Sequence, residues 1–215
     1  MGRAKDIVVK VIPSSVANDF VKRHHYSGKV VQNSVLHFGA FLDGKLGGVM
    51  QYGNPIDKRN VLNLVETSNK GFNSKWNEML ELNRMAFSEM LPKNSESRCI
   101  AVSIRLIKKN APQIKWILSF ADGTQCGDGT IYRASGFKLT AINKNSTIYR
   151  LRNGESIAKH GTSKRDFSGA VRLPGNQLRY IYLISKDSRL NCASIPFSKI
   201  KEVGAGMYKG EKTGG

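Results

Sequence analysis

Short apolar runs, separated by Gly, Asn, Asp and Pro, mark the elements in the first half of the chain. IVVKVIP at 7–13 is rich in β-branched residues and predicts a strand. A serine pair that follows can cap a helix, and Gly28 is placed to end it. Apolar segments on both sides of Asp43-Gly44 predict a hairpin over 36–53, because Asp-Gly favours a two-residue turn.

The second half of the chain contains strands and helices in alternation. WNEMLELNRMAFS at 76–88 suits two structures, because its apolar residues alternate as in a strand while Glu, Leu and Met favour a helix. Strands between helices indicate an α/β fold with a mixed sheet. The other predicted elements are a helix over 98–111 opened by Ser95 or Ser97, a buried strand at 116–122, a short helix ending at Gly136, strands at 137–142 and 146–151 that we expect to pair, and a strand at 178–185.

The chain carries a large positive charge. Its 215 residues include 34 Lys and Arg against 16 Asp and Glu, a formal net charge of +18. Self-repulsion of this size disfavours a compact state unless a polyanion binds, so nucleic acid is the expected partner. The alternative is a basic surface that only keeps the protein in solution. The length suits one well-packed domain with an appended subdomain.

Cysteine usage and hydropathy indicate a cytoplasmic protein. Cys99, Cys126 and Cys192 are odd in number and widely spaced, so neither a disulfide framework nor a metal-ligand pair is expected. The N-terminus shows no signal-peptide pattern, and no apolar run approaches the roughly 18 residues that a spanning helix needs. We therefore expect no membrane partner.

Three sequence blocks carry a resemblance to a known family. They are RHHYSGK at 23–29, ELNRMAF at 81–87 and SFADGTQCGDGTIYRASGF at 119–137. The order of elements, closed by YRASGF, resembles the GNAT superfamily of acyl-CoA-dependent acetyltransferases. The three blocks are similar to the Mom family of bacteriophage DNA-modification proteins. The resemblance implies a GNAT-like catalytic domain over 1–150, a central mixed sheet with flanking helices, and a basic extension over 151–215.

The resemblance also implies an activity and its partners. Mom proteins add a methylcarbamoyl group to N6 of adenine and so shield phage DNA from restriction. We therefore expect a transferase in the host cytoplasm that acts on double-stranded DNA, with the target adenine flipped out of the stack. The implied donor is acetyl-CoA or a related acyl donor. The identity of the donor, the need for a metal such as iron, and the oligomeric state, a homodimer included, stay open.

The resemblance assigns roles to individual residues, and the plain pattern offers a structural alternative for each. Arg84 is expected at the cofactor, or paired with a nearby glutamate. Asp122 is the expected base, or serves the turn before Gly123. The implied catalytic residues are Tyr26, His25, Asp122 and Tyr132, and the implied cofactor-binding residues are Arg84, Ser97 and Arg98 in a loop that lacks the usual glycines.

The C-terminal part of the chain is expected to contact DNA phosphates. Affinity for duplex DNA should then fall linearly with salt on logarithmic axes. The alternative is that this segment covers a sheet edge through LRYIYLIS. Two rival functions also stay open: an acetyltransferase acting on a small amine or on RNA, and a non-catalytic nucleic-acid-binding protein. The expected phosphate contacts are Lys164, Arg165, Arg172 and Arg179.

Overall fold

The computed structural model describes residues 3–57, 59–68, 71–122, 129–145, 148–158, 166–173, 175–204, 207–208 and 211–212. The strands are, in chain order, β1 (Val8–Val11), β2 (Ser34–Leu42), β3 (Lys45–Gly53), β4 (Val65–Glu66), β5 (Met79–Phe87), β6 (Trp116–Asp122), β7 (Lys138–Asn145), β8 (Ile148–Arg150), β9 (Ser156–Ala158), β10 (Val171–Arg172), β11 (Gly175–Leu183), β12 (Arg189–Leu190), β13 (Met207–Tyr208) and β14 (Glu211–Lys212). The helices are α1 (Ser14–His24), α2 (Ser95–Asn110), α3 (Thr130–Ala134) and α4 (Ser198–Glu202), with short 3-10 turns at Arg3–Asp6, Leu62–Leu64 and Trp76–Glu78.

A seven-stranded mixed sheet in the order β1-β2-β3-β5-β6-β11-β7 forms the centre of the fold. The pairs β1-β2, β2-β3 and β3-β5 are antiparallel, and β5 pairs with β6 in parallel. The predicted α/β class is therefore confirmed. The ambiguous segment after residue 76 is a strand, because its alternating apolar positions pack on both faces of this sheet.

Two expectations about strand pairing need correction. We expected the segments at 137–142 and 146–151 to pair, but β7 joins the large sheet beside β11 while β8 lies between β10 and β9. LRYIYLIS was a candidate for covering a sheet edge, yet β11 takes an interior position in the order. Its residues Leu178 and Tyr180 are fully buried, as an interior strand requires.

The hairpin of β2 and β3 turns as predicted at Asp43-Gly44, where both residues have positive φ, 50° and 75°. This is the two-residue turn whose twist matches that of the strands. Helix α1 packs against strands β3 and β5. Phe20 and Val21 share a buried apolar cluster with Val49 of β3 and Ala86 of β5.

Helix α2 begins at Ser95, as predicted, and is amphipathic. Its buried side chains include Ile100, Ser103 and Ile104, and two lysines lie in its last turn, where they complement the helix dipole. The buried hydroxyl of Tyr52 on β3 donates to Ser103 Oγ at 2.6 Å, and Ser103 Oγ donates to the Ile100 carbonyl. No helix within the described ranges combines the length and apolar character that crossing a membrane requires.

Contacts along the chain group it into two compact units. The first comprises residues 1–119, 131–138 and 181–193, and the second comprises residues 120–130, 139–180 and 194–215. The second unit contains the small β10-β8-β9 sheet and an aromatic stack between Tyr180 and Phe197. The division of the sequence into a domain at 1–150 and an extension at 151–215 stays a prediction.

Candidate functional site

A β-bulge in β5 shapes the site in the first unit. Gln51 pairs with Arg84 and Tyr52 pairs with Leu82, so Asn83 is an extra residue without a partner on β3. In a regular strand, residues 81 and 84 would point to opposite faces of the sheet. A bulge adds one residue and re-aims the side chains around it. Glu81 pairs with Gly53 and Arg84 pairs with Gln51, two positions apart on β3, so Glu81 and Arg84 lie on the same face of the sheet.

The parallel pairing of β5 with β6 ends beside this bulge. It joins Met79–Leu82 to Trp116–Ser119, and within the described ranges no residue of β5 beyond Leu82 pairs with β6. The Ser119 hydroxyl closes the ladder by donating to the Leu82 carbonyl at 2.9 Å. The next carbonyl, that of Asn83, accepts a hydrogen bond from Nη1 of Arg84 at 3.0 Å. The bulge therefore lies where the two parallel strands stop pairing.

Arg84 holds two backbone segments together at this point. Besides the Asn83 carbonyl, its guanidinium donates from Nε to the Lys29 carbonyl at 3.2 Å. Of the two glutamates that could pair with Arg84, Glu81 interacts with it electrostatically. Glu78 instead accepts hydrogen bonds from Thr67 and from the backbone of Lys75. Arg84 thus supplies a fixed positive charge beside the bulge.

Glu81 is a further residue of this site. The sequence pattern had suggested it only as a structural partner of Arg84. Its half-buried carboxyl has a pKa raised to about 7, because burial disfavours the charged form, while the nearby Arg84 acts in the opposite direction. A carboxylate with a pKa near 7 is suited to proton transfer at neutral pH. The signal available in the sequence was a charged residue within an otherwise apolar strand, three positions before Arg84.

His25 approaches the same arginine from the end of α1. Burial and the positive charge of Arg84 lower its pKa to about 4, so the imidazole is neutral at pH 7. Its Nδ1 accepts from the backbone N–H of Ser27 at 3.1 Å and lies 2.8 Å from the Ser27 hydroxyl. An accepting Nδ1 leaves the ring proton on Nε2. His25 therefore brings a neutral donor, and not a second positive charge, to Arg84.

The depressed pKa of His25 makes the protein acid-sensitive in a defined range. The unfolded state binds the histidine proton near pH 6.5 and the folded state near 4, so this stabilising contribution is present above 6.5 and is lost as the pH falls toward 4. We expect the free energy of unfolding of the wild type to drop by about 1–3 kcal/mol more over this range than that of His25→Asn. Asparagine keeps an acceptor for Ser27 without titrating. Urea unfolding at several pH values measures the difference, and parallel curves would contradict it.

Tyr26 and Asn83 complete the group around the bulge. Tyr26 is 55% exposed, and its ring lies 4.2 Å from that of His25 at an interplanar angle of 34°. Asn83 accepts a hydrogen bond from the Ser34 hydroxyl at 2.9 Å, while its buried Nδ2 has no hydrogen-bond partner within the described part of the chain. The partly exposed Tyr26 ring therefore packs on His25, and Asn83 keeps a buried amide donor without a partner among the described residues.

The structure describes the other two predicted catalytic residues in different surroundings. Tyr132 is 8% exposed, contacts Phe137 at a ring distance of 5.4 Å, and interacts with the buried Tyr52. This is the packing role that its pattern left open. Asp122 is the half-buried last residue of β6 and belongs to the second unit. Its role as a base stays a prediction.

Comparison with known proteins identifies the family. The model of the Mom protein family matches residues 6–199. The chain belongs to the Mom family. Methylcarbamoylase mom of Escherichia phage Mu is 35% identical over 202 residues, which cover 86% of this chain and 79% of the relative. The resemblance seen in the three sequence blocks is therefore confirmed, and so is the expected enzyme class, a transferase.

Solved structures similar to this Mom-family chain come from acetyltransferases. One is a GNAT family acetyltransferase from Elizabethkingia anophelis with acetyl-CoA bound, 12% identical, covering 83% of this chain and 98% of its own, with a TM-score of 0.49. Another is the ribosomal-protein-S18-alanine N-acetyltransferase from Escherichia coli, 10% identical, covering 83% of this chain and 94% of its own, also with a TM-score of 0.49.

The predicted cofactor residues at the start of α2 bind the protein's own backbone. Arg98 donates to the Lys5 carbonyl at 2.8 Å, and its buried Nε finds no acceptor within the described residues. The Ser97 hydroxyl donates to the Asn94 carbonyl at 3.3 Å, and the Ser95 hydroxyl donates to Pro92. Ser97 and Arg98 are half-buried, and their role at a cofactor stays a prediction.

The predicted DNA contacts have separate outcomes. Arg172 is exposed on β10 and can reach a phosphate, whereas Arg179 is half-buried and donates to Thr140 Oγ1 at 3.0 Å and to the Thr140 carbonyl at 3.2 Å. Arg179 therefore ties β11 to β7. Lys164 and Arg165 lie outside the described residues. The same applies to Cys126, and among the residues that are described no group of three or more His, Cys, Asp and Glu side chains could hold a metal ion.

Proposed function

We propose that this Mom-family protein transfers a methylcarbamoyl group to the exocyclic N6 of adenine in double-stranded DNA. Its match to the phage Mu methylcarbamoylase over most of both chains carries the proposal. The charge of +18 supports DNA as the substrate, because phosphate contacts give sequence-tolerant affinity. The modified DNA would be protected from restriction.

The residues around the bulge suit a reaction at an exocyclic amine. In the proposed step, N6 forms a bond to the methylene carbon of the incoming group, one N6 proton passes to the Glu81 carboxylate, and the donor's carrier leaves with the electrons of the broken bond. A pKa of about 7 allows Glu81 to be ionised before the step and to hold the proton after it. The exposed ring of Tyr26 offers a stacking surface for the base.

The residues around Glu81 also stabilise the negative charge of its ionised carboxylate. Arg84 is held by two backbone carbonyls, so its positive charge stays close to Glu81 when the carboxylate forms. His25 is neutral and therefore does not compete with Arg84 for the carboxylate.

An acyl-CoA donor was expected from the resemblance to acetyltransferases. Plain acyl transfer joins nitrogen to a carbonyl carbon, whereas a methylcarbamoyl product joins it to a methylene carbon. No step of the proposal therefore passes through CoA, and the donor is defined only as a carrier with an activated methylene.

Mass spectrometry of nucleosides tests the proposed function. Plasmid DNA is isolated from cells that express the protein and from cells that express the Glu81→Gln variant, then digested to nucleosides. We expect a methylcarbamoyl-deoxyadenosine species in the wild-type sample and its loss in the variant. Unmodified DNA with an acetylated small amine or RNA would favour the acetyltransferase alternative. Unmodified DNA that co-purifies with the protein would favour a non-catalytic nucleic-acid-binding protein.

A further inference from the structure

The loop after β3 presents one bulky apolar side chain to solvent. Ile56 is 91% exposed, more than any other large apolar residue among those described. Its neighbour Pro55 is buried, so the loop is anchored immediately before Ile56. An isoleucine in this position gains nothing from burial within the chain. Its side chain is therefore available to a partner.

The residue after Ile56 is held by hydrogen bonds. The Asp57 carboxylate accepts hydrogen bonds from the backbone N–H groups of Arg59 and Asn60, at 3.1 and 3.3 Å, and from the Asn60 side chain at 2.6 Å. Ile56 thus directly precedes a carboxylate that accepts three hydrogen bonds. Arg59 is exposed beside it and can contact a phosphate.

The loop begins at the bulge described above. Gly53, the last residue of β3, pairs with Glu81 of β5 and with Ser34 of β2. Asn54 donates from its backbone to the Asn33 carbonyl at 3.1 Å, and Asn33 donates from its side chain to the Asn54 carbonyl. A Cβ on Gly53 would overlap the Asn33 carbonyl, which shows how closely these segments approach. Only Asn54 and Pro55 therefore separate Gly53, the pairing partner of Glu81, from Ile56.

We propose that Ile56 is a wedge that enters the DNA duplex beside the target adenine and holds the extruded base at the bulge site. This inference rests on the proposed function, because it assigns the residue that makes adenine N6 reachable. Proteins that unstack duplex DNA use bulky apolar side chains for this purpose, and unpairing a base costs a few kcal/mol. Tyr26 provides a stacking surface on the site side, and Ile56 fills the gap left in the duplex.

Fluorescence of 2-aminopurine tests the wedge without any group donor. The plasmid modified in wild-type cells first gives the sequence around a modified adenine. That adenine is replaced by 2-aminopurine in two synthetic duplexes, one with thymine opposite the probe and one with an abasic site opposite it. Emission rises when the probe leaves the stack. The proteins compared are the wild type, Ile56→Ala, Ile56→Leu and the control Val8→Ala, which removes an exposed apolar side chain from β1.

We expect Ile56→Ala to bind the thymine-paired duplex about tenfold more weakly than the wild type, with a correspondingly smaller rise in emission. On the duplex with the abasic site, where no pair has to be broken, its affinity should equal that of the wild type. Ile56→Leu and Val8→Ala should match the wild type on both duplexes. Equal binding of Ile56→Ala and wild type to the paired duplex, or an equal loss on both duplexes, would overturn the wedge. Wild-type cells without modified adenine would instead refute the proposed function.

Discussion

Glu81→Gln is expected to slow methylcarbamoyl transfer by about 100- to 10,000-fold, the contribution that a positioned general base makes. The rate of the wild type should rise with pH through about 7 and level off above it, because only the ionised carboxyl accepts the N6 proton. The variant should lose this dependence. The measurement is the initial rate of adenine modification on plasmid DNA in host extracts that supply the donor.

The free energy of unfolding of Glu81→Gln shows whether a slow variant has lost the catalytic base or has lost its fold. The folded-state pKa lies above the ordinary value of 4.5, so the stability linked to Glu81 is present below about 4.5 and is lost as the pH rises through about 7. Glu81→Gln should therefore be at least as stable as the wild type at pH 8. Glu89→Gln, which removes an exposed carboxylate just after β5, is the matched control and should keep the wild-type rate.

Asp122 provides the direct comparison with Glu81. From the sequence alone we predict that Asp122→Asn abolishes modification and leaves DNA binding nearly intact. If Glu81 is the base, Asp122→Asn should leave the pH midpoint near 7 in whatever activity it keeps. A Glu81→Gln variant with the wild-type rate and pH profile would exclude Glu81 as the base and return that role to Asp122.

Arg84→Gln is the second change with a large expected effect. Arg84 lowers the pKa of Glu81, so its removal should move the midpoint of the pH–rate profile above 7. At neutral pH the rate should then fall about tenfold for each pH unit that the midpoint rises. The variant also leaves the carbonyls of Lys29 and Asn83 without their donor, which should lower the free energy of unfolding by about 1–3 kcal/mol.

Arg84→Lys separates the charge from the shape of this side chain. Lysine keeps the positive charge but cannot bridge both carbonyls with a planar fork. The pH midpoint should therefore stay closer to the wild-type value while the loss of stability remains. The two quantities come from the pH–rate profile and from urea unfolding of the same preparations. An unchanged midpoint in Arg84→Gln would show that Arg84 does not control the ionisation of Glu81.

Several features of this protein follow from local sequence alone. Turn chemistry at Asp43-Gly44 predicted the hairpin, and the apolar period of the segment after Ser95 predicted α2, because both depend on neighbours within a few residues. The family was also readable from three short blocks, and the match over residues 6–199 agrees with it. The positive charge is a property of composition and needs no structure.

Long-range features required the tertiary structure. The interior place of β11 and the separation of β8 from β7 depend on which strand edges meet, and no local period encodes that choice. The role of Glu81 shows the same limit at the site. Its sequence pattern offered only a pairing with Arg84, whereas burial raises its pKa and the bulge at Asn83 brings Arg84 to the same face of the sheet. Sequence determined which charged groups the chain contains, and the fold decided which of them lose water and meet, because desolvation depends on every element packed around a group.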